Sequence, residues 1–206
     1  MANVDAPFGL KPIRHLNGNP WNGACEKCYV EDSDTTAVFV GDPVIYTGTG
    51  GSDTAASGNY HKVVTVATDA DTNRIYGVVV GIEPIQTDLS KTYLPASTGG
   101  FVYVCVDPDV IYIVQDEGGT ALDGDSVGAN AVLESATAGS TVTGLSGWEL
   151  DTGDTPAADA FNQVLIMGIH NVEGNAAGVN CIWEVLITNH VLRGGMAATN
   201  EGALGI

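Results

Sequence analysis

Short apolar runs, most of four to eight positions, alternate along this chain with clusters of Gly, Asp, Asn, Ser and Thr. Such runs are rich in Val, Ile and Tyr and too short to bury a helical stripe, so they favour pleated backbone. The pattern predicts ten strands, at 25–30, 36–40, 43–47, 60–67, 74–82, 101–106, 110–115, 126–133, 163–170 and 181–188. No stretch carries a convincing helical period. The nearest is 154–162, where Asp154 or Thr155 can cap and Pro156 can occupy the first turn. Turn chemistry adds two hairpins. The polar run 68–73 predicts one between 60–67 and 74–82, and Asp107-Pro108-Asp109 predicts a tight one between 102–106 and 110–114. Because the runs are almost continuously apolar, a second sheet or a partner chain is expected to cover both their faces. Stretches 48–59, 134–147 and 193–206 read as loops.

The first 24 residues depart from this pattern, with three prolines, no alternating run, and large apolar residues (Phe8, Leu10, Ile13, Leu16 and Trp21) spaced by Gly and Pro. A segment of this kind cannot build a core of its own, and its anchors need another surface: a partner chain, a neighbouring subunit or its own domain. The chain therefore divides into an extended N-terminal arm, 1–24, and a β domain, 25–206.

A length of 206 residues suits one domain with an arm, and 27 glycines supply the many turns that an all-β fold requires. Charge narrows the partners. Seven basic residues face 25 acidic ones, a net −18, which cannot attract phosphates or anionic lipid, so no nucleic acid and no membrane surface is expected. No 18-residue apolar span is present, and no basic patch precedes an apolar run at the N-terminus, so neither a membrane helix nor a signal peptide is predicted. The charge is also segregated. Residues 1–30 hold three basic groups against two acidic ones, or +1, and the remainder holds four against 23, or −19.

Candidate chemistry is sparse. Cys25-Glu-Lys-Cys28 has the spacing of half a zinc knuckle or of a redox dithiol, but Cys105 and Cys181 are isolated in apolar runs and the pair does not open a helix, which favours ordinary packing. Asp69-Ala-Asp71-Thr-Asn73 imitates the first half of a calcium loop, then places Arg74 where Gly is required and Val80 where a bidentate Glu is required. The acidic pairs Asp107/Asp109, Asp123/Asp125 and Asp151/Asp154 fall at turns. Weak cation binding by an acidic surface fits them, without any one loop being a site. His15, His61, His170 and His190 are scattered, and no Gly-x-Ser-x-Gly, His-Glu-x-x-His or phosphate loop occurs. The expectation is a protein that is not an enzyme, with no cofactor and no tightly held metal.

Three segments carry a resemblance. Met1-Ala-Asn-Val-Asp-Ala-Pro-Phe-Gly-Leu-Lys-Pro-Ile-Arg-His-Leu-Asn-Gly18 resembles the start of small virion structural proteins of tailed bacteriophages. Val38-Phe-Val-Gly-Asp-Pro-Val-Ile-Tyr46 and Ile75-Tyr-Gly-Val-Val-Val-Gly-Ile82 are similar to the glycine-flanked strands of capsid decoration, or cement, proteins. The likeness covers residues 1–90. It implies a compact β-barrel or β-tulip-like domain on the outer surface of the capsid, often a homotrimer, with a dimer as the other arrangement. Its arm would touch the major capsid protein through Phe8, Leu10, Lys11, Ile13, Arg14, Leu16 and Trp21, and would stabilise contacts between capsomers. Two other classes share parts of the pattern. One is a tail or baseplate component; the other is a carbohydrate-binding module using Trp21, Trp148 and Trp183.

Overall fold

The computed structural model describes residues 3–52, 60–69, 74–135, 137–153 and 162–193. Its strands, in chain order, are β1 (Lys11–His15), β2 (Glu26–Val30), β3 (Pro43–Ser52), β4 (Tyr60–Val66), β5 (Gly77–Ile82) and β6 (Gly100–Cys105). They continue with β7 (Val110–Gln115), β8 (Asn130–Ala131), β9 (Leu133–Glu134), β10 (Glu149–Leu150), β11 (Val164–Ile169) and β12 (Ile182–Ile187). Strands make up 41% and helical turns 4%, so the fold is all-β, as the run lengths predict.

Five strands close into a barrel in the order β2-β4-β3-β5-β6, with β6 returning to β2. All its pairs are antiparallel except β2–β4. Period-two alternation along β2 and β6 buries Cys28, Val30, Val102 and Val104. A second, open antiparallel sheet runs β1-β7-β12-β11-β8, and β9 and β10 form a two-stranded ribbon. Strand β7 is buried at all six positions, so both its faces are covered within the chain. One core joins the two sheets, running from Val44, Val78 and Val104 in the barrel to Val114, Trp183 and Val185 in the open sheet.

Neither predicted hairpin forms. Strand β3 lies between β4 and β5 and pairs with both, so the polar run after residue 67 links strands that are two places apart. Strands β6 and β7 belong to different sheets: Asp107 Oδ1 accepts the Asp109 N–H at 2.8 Å in a turn that carries the chain from the barrel to the open sheet. Turn residues fix where a chain bends. Which strand it then meets is set by burial, and β7, apolar on both faces, is paired along both edges, by β1 and β12, as an interior strand rather than half of a two-strand ribbon with β6.

Other elements shift. Residues 36–40 give only isolated bridges, Val38 to Leu94 and Val40 to Leu145. The 126–133 run becomes a 3-10 turn at Gly124–Ser126, capped by Asp123, followed by β8 and the start of β9. Residues 48–52, read as loop, extend β3 past a register irregularity between Tyr46 and Gly50. Residues 53–59, the helix predicted at 154–162 up to its last residue, and the tail from 194 onward lie outside the described residues.

Strand β1 was not visible in the pattern, because Pro12 interrupts alternation. An edge strand tolerates proline, and the β1–β7 register shifts between Pro12 and Arg14. Before β1, the Ala6 N–H donates to Gln115 Oε1 at 2.9 Å, Gln115 Nε2 donates to the Val4 carbonyl at 2.9 Å, and the Leu10 N–H donates to the Gly41 carbonyl at 2.9 Å. After it, the chain folds back. The His15 N–H reaches the Asn19 carbonyl at 2.7 Å and the Trp21 N–H reaches the Ile13 carbonyl at 3.1 Å, so this return covers the outer edge of β1.

The crossing at residues 9 and 41 depends on glycine at both positions. Gly9 has φ +71° and Gly41 φ +102°, and a Cβ on Gly41 would stand 2.5 Å from the Phe8 carbonyl oxygen. Both the backbone angle and the contact exclude a side chain. Gly41→Ala is therefore expected to lower stability by about 2 kcal/mol or more, read as a fall in the urea midpoint with an unchanged m-value. An unchanged midpoint would show that the crossing is not tight.

Candidate functional site

The N-terminal segment lies between the barrel and the open sheet and, with them, lines an apolar groove of about 400 Å³. Phe8, Leu10, Lys11, Pro12 and Trp21 form one side; Val79 and Val80 of β5, Ile113 of β7 and Ile182 of β12 are among the residues opposite.

The seven residues singled out in the sequence take different positions. Leu10 is 1% exposed and belongs to the shared core, whereas Leu16 is 47% exposed at the turn after β1. Phe8, Ile13 and Trp21 are half-buried, and Trp21 packs against the core. The Trp21 indole N–H is buried without an acceptor among the described residues. Arg14 is committed internally, its guanidinium donating to Glu184 at 2.7 Å, while Lys11 is exposed. Glu184 also meets His170 Nδ1 at 3.1 Å, and these two partners hold its carboxyl below the usual range against the opposing effect of burial. Sequence reasoning missed the far wall of the groove, because Val79, Val80, Ile113 and Ile182 read only as strand residues.

The remaining basic side chains are largely paired too. Lys27 meets Glu83 at 2.9 Å, and Arg193 bonds Asp109. Lys62 meets Glu26 at 2.5 Å, and Tyr76 donates to the same carboxylate at 2.8 Å. The hydrogen bond from Lys62 holds the Glu26 carboxyl below its ordinary range. Arg74 donates to the carbonyls of His190 and Val191.

Other sequence candidates are placed apart. Cys25 is exposed and Cys28, Cys105 and Cys181 are buried, all as free thiols; burial pushes Cys28 and Cys181 up to about 11. Tyr112 donates to Cys105 Sγ at 3.3 Å. His15 faces Asp107 at 3.2 Å, His61 packs edge-on to Phe101, and His190 is fully buried, its ring lowered to about 4 by desolvation. Trp148 and Trp183 are buried at 4% and 0% exposure, so with Trp21 they form no shared stacking platform. Asp123 accepts the Asp125 N–H at 3.0 Å as a local cap, and Asp69 accepts the Ser135 N–H at 2.8 Å; residues 70–73 and 154 lie outside the described residues.

One set of carboxylates among the described residues is close enough to share a cation: Glu117, Glu134 and Asp151. Burial, then the neighbouring Glu117, pushes Glu134 up to about 8; burial also raises the nearby Glu149 to about 7. These positions carry no spacing signal in the sequence, since three separate segments bring them together.

Comparison of the chain with protein-family models, with curated proteins and with solved structures finds no match.

Leu10 and Leu16 test how the segment is divided between core and surface. Leu10→Ala is expected to cost about 2–5 kcal/mol through the cavity it leaves. Leu16→Ala should stay within about 0.5 kcal/mol. Chemical denaturation of the two variants checks this, and equal effects would contradict the division.

Proposed function

We propose that this protein is a capsid decoration protein of a tailed bacteriophage, which binds the outer surface of the head, contacts the major capsid protein and stabilises the junctions between capsomers. A homotrimer is the favoured assembly. The observation that carries the reading is the apolar groove rimmed by the N-terminal segment, with Trp21 in its wall and the Trp21 indole N–H buried with no acceptor among the described residues. An unpaired buried donor costs about 1–3 kcal/mol, and a small shift of the Trp21 ring on docking that gave its N–H a partner carbonyl would remove that cost.

Charge supports the same reading. With net −18 and most basic side chains in internal pairs, the body has little with which to hold an acidic partner, and attachment falls to apolar contact. Burial there contributes about 25 cal/mol per Å² before association costs are subtracted. Many symmetric sites on a shell make modest individual affinities effective. An acidic exterior also keeps particles from adhering to one another.

Purified protein added to expanded, undecorated heads should attach with an affinity that changes little between about 50 and 500 mM salt. Trp21→Ala should weaken attachment by about 2–4 kcal/mol, and Trp21→Phe, which keeps the ring but loses the N–H, by less. Binding that collapses with salt while both variants attach normally would contradict this mode. Rings or stacks formed by the protein alone, with no attachment to heads, would favour a tail component instead.

A further inference from the structure

Strand register brings four carboxylates to one face of a three-strand patch. Strand β10 pairs antiparallel with β9, Glu149 opposite Glu134 and Leu150 opposite Leu133. On the other side of β10, Asp116, just past β7, forms a parallel bridge with Leu150, and the Glu117 N–H donates to the Leu150 carbonyl at 3.1 Å. Leu133, Leu150 and Asp116 are all 0% exposed and share the inner face. Alternation then sets Glu117, Glu134, Glu149 and Asp151 on the opposite face.

Carboxylate oxygens of Glu117, Glu134 and Asp151 lie within 4.8 Å of one another. Neutral donors orient two of them. The Thr152 N–H and hydroxyl donate to Glu117 Oε1 at 3.1 and 2.8 Å, and the Gly153 N–H donates to Asp151 Oδ1 at 2.7 Å. Glu149, opposite Glu134, is 2% exposed, and its Oε1 has no hydrogen-bond partner; Glu134 Oε1 is likewise buried and unpartnered. The charges that act on these two groups are all negative: Asp5, Asp116 and Glu117 on Glu149, and Asp151, Glu117 and Asp69 on Glu134. No ion pair among the described residues reaches Glu117, Glu134 or Glu149. Carboxylates buried without a counter-charge are costly, and a cation shared with Glu134 and Glu149 would offset that cost.

We propose that Glu117, Glu134 and Asp151, with Glu149 beside Glu134, form a binding site for a hard divalent cation, Ca²⁺ in preference to Mg²⁺. The donors are all oxygens, which suits both ions. Ca²⁺ holds oxygens at about 2.3–2.6 Å in flexible coordination, so donors on opposite sides of the ion stand up to about 5 Å apart; Mg²⁺ needs about 2.0–2.1 Å and near-ideal octahedral geometry. Three oxygens from separate segments, all within 4.8 Å of one another, suit the ion with the more flexible coordination. Such an ion ties the end of β7 to the β9–β10 ribbon, making it a clamp between the open sheet and the segment leading into it. Asp69, the first residue of the calcium-like run, lies close enough to act on Glu134 and accepts the neighbouring Ser135 N–H at 2.8 Å, and the site does not depend on the capsid reading.

The test is a thermal melt and a calorimetric titration of the full chain, stripped with chelator and returned to pH 8, with CaCl₂, MgCl₂ or NaCl of matched ionic strength. One Ca²⁺ per chain is expected, and at about 100-fold excess over Kd the melting temperature should rise by about 5–10 °C, more than with Mg²⁺. Glu134→Gln and Glu117→Gln should each weaken Ca²⁺ binding by at least about tenfold while leaving the cation-free melting temperature unchanged or higher, because each removes a repelling charge. Asp123→Asn, at an acidic turn outside the cluster, should keep the full response. A wild-type response no larger than that to NaCl would overturn the proposal, as would a full Ca²⁺ response in both cluster variants. The wild-type stoichiometry stands as a test even if a variant fails to fold.

Discussion

Two backbones touch where Gly9 crosses Gly41, and most of the architecture follows from how closely they approach. With the Leu10 N–H bonded to the Gly41 carbonyl and no side chain between them, the N-terminal segment is held against the barrel before it reaches the open sheet. This fixes the start of β1 and so its register on β7. With β1 on one side and β12 on the other, β7 becomes an interior strand, and Val110, Tyr112 and Val114 on one of its faces help join the barrel core to that of the sheet. The apolar groove lies along the same seam, where segment, barrel and sheet meet.

Charge is the second constraint. The body carries far more acid than base, and the few basic side chains are used where they neutralise a carboxylate beside a strand: Arg14 at Glu184, Lys27 at Glu83, Lys62 at Glu26. That leaves none among the described ion pairs for Glu117, Glu134 and Glu149 at the β7, β9 and β10 ends. Apolar attachment at the groove and cation binding at the carboxylate face answer the same shortage in different ways. In each, what the chain cannot supply internally would come from outside: an acceptor for Trp21, a counter-charge for Glu134 and Glu149.

The sequence made the all-β class legible because burial in a sheet needs only short runs of Val, Ile and Tyr, and eight predicted strands fall on observed ones. Pairing was less legible. The run at 68–73 and the Asp107-Pro108-Asp109 turn announce bends, but strand order depends on closing the barrel through β6 and β2, which no local signal carries. Strand β1 was hidden by Pro12, a residue that an edge tolerates and a central strand does not. At the groove, the apolar residues of the first 24 could be picked out as anchors, yet their division into buried Leu10 and exposed Leu16 needed the fold. The carboxylate face was invisible for a simpler reason: three segments distant in sequence meet there only through the bridges of Leu150.

Closed pairing at Gly9, Leu10 and β1 makes the N-terminal segment part of the cooperative fold, so that the groove is formed before any partner arrives. Native-state hydrogen exchange reads this directly, through the Leu10 amide bonded to Gly41 and the β12 amides bonded to β7. Leu10 is expected to exchange with the same free energy as β12, by global unfolding. Exchange at Leu10 that is orders of magnitude faster, with β12 still protected, would show a segment that detaches on its own and would contradict a preformed groove.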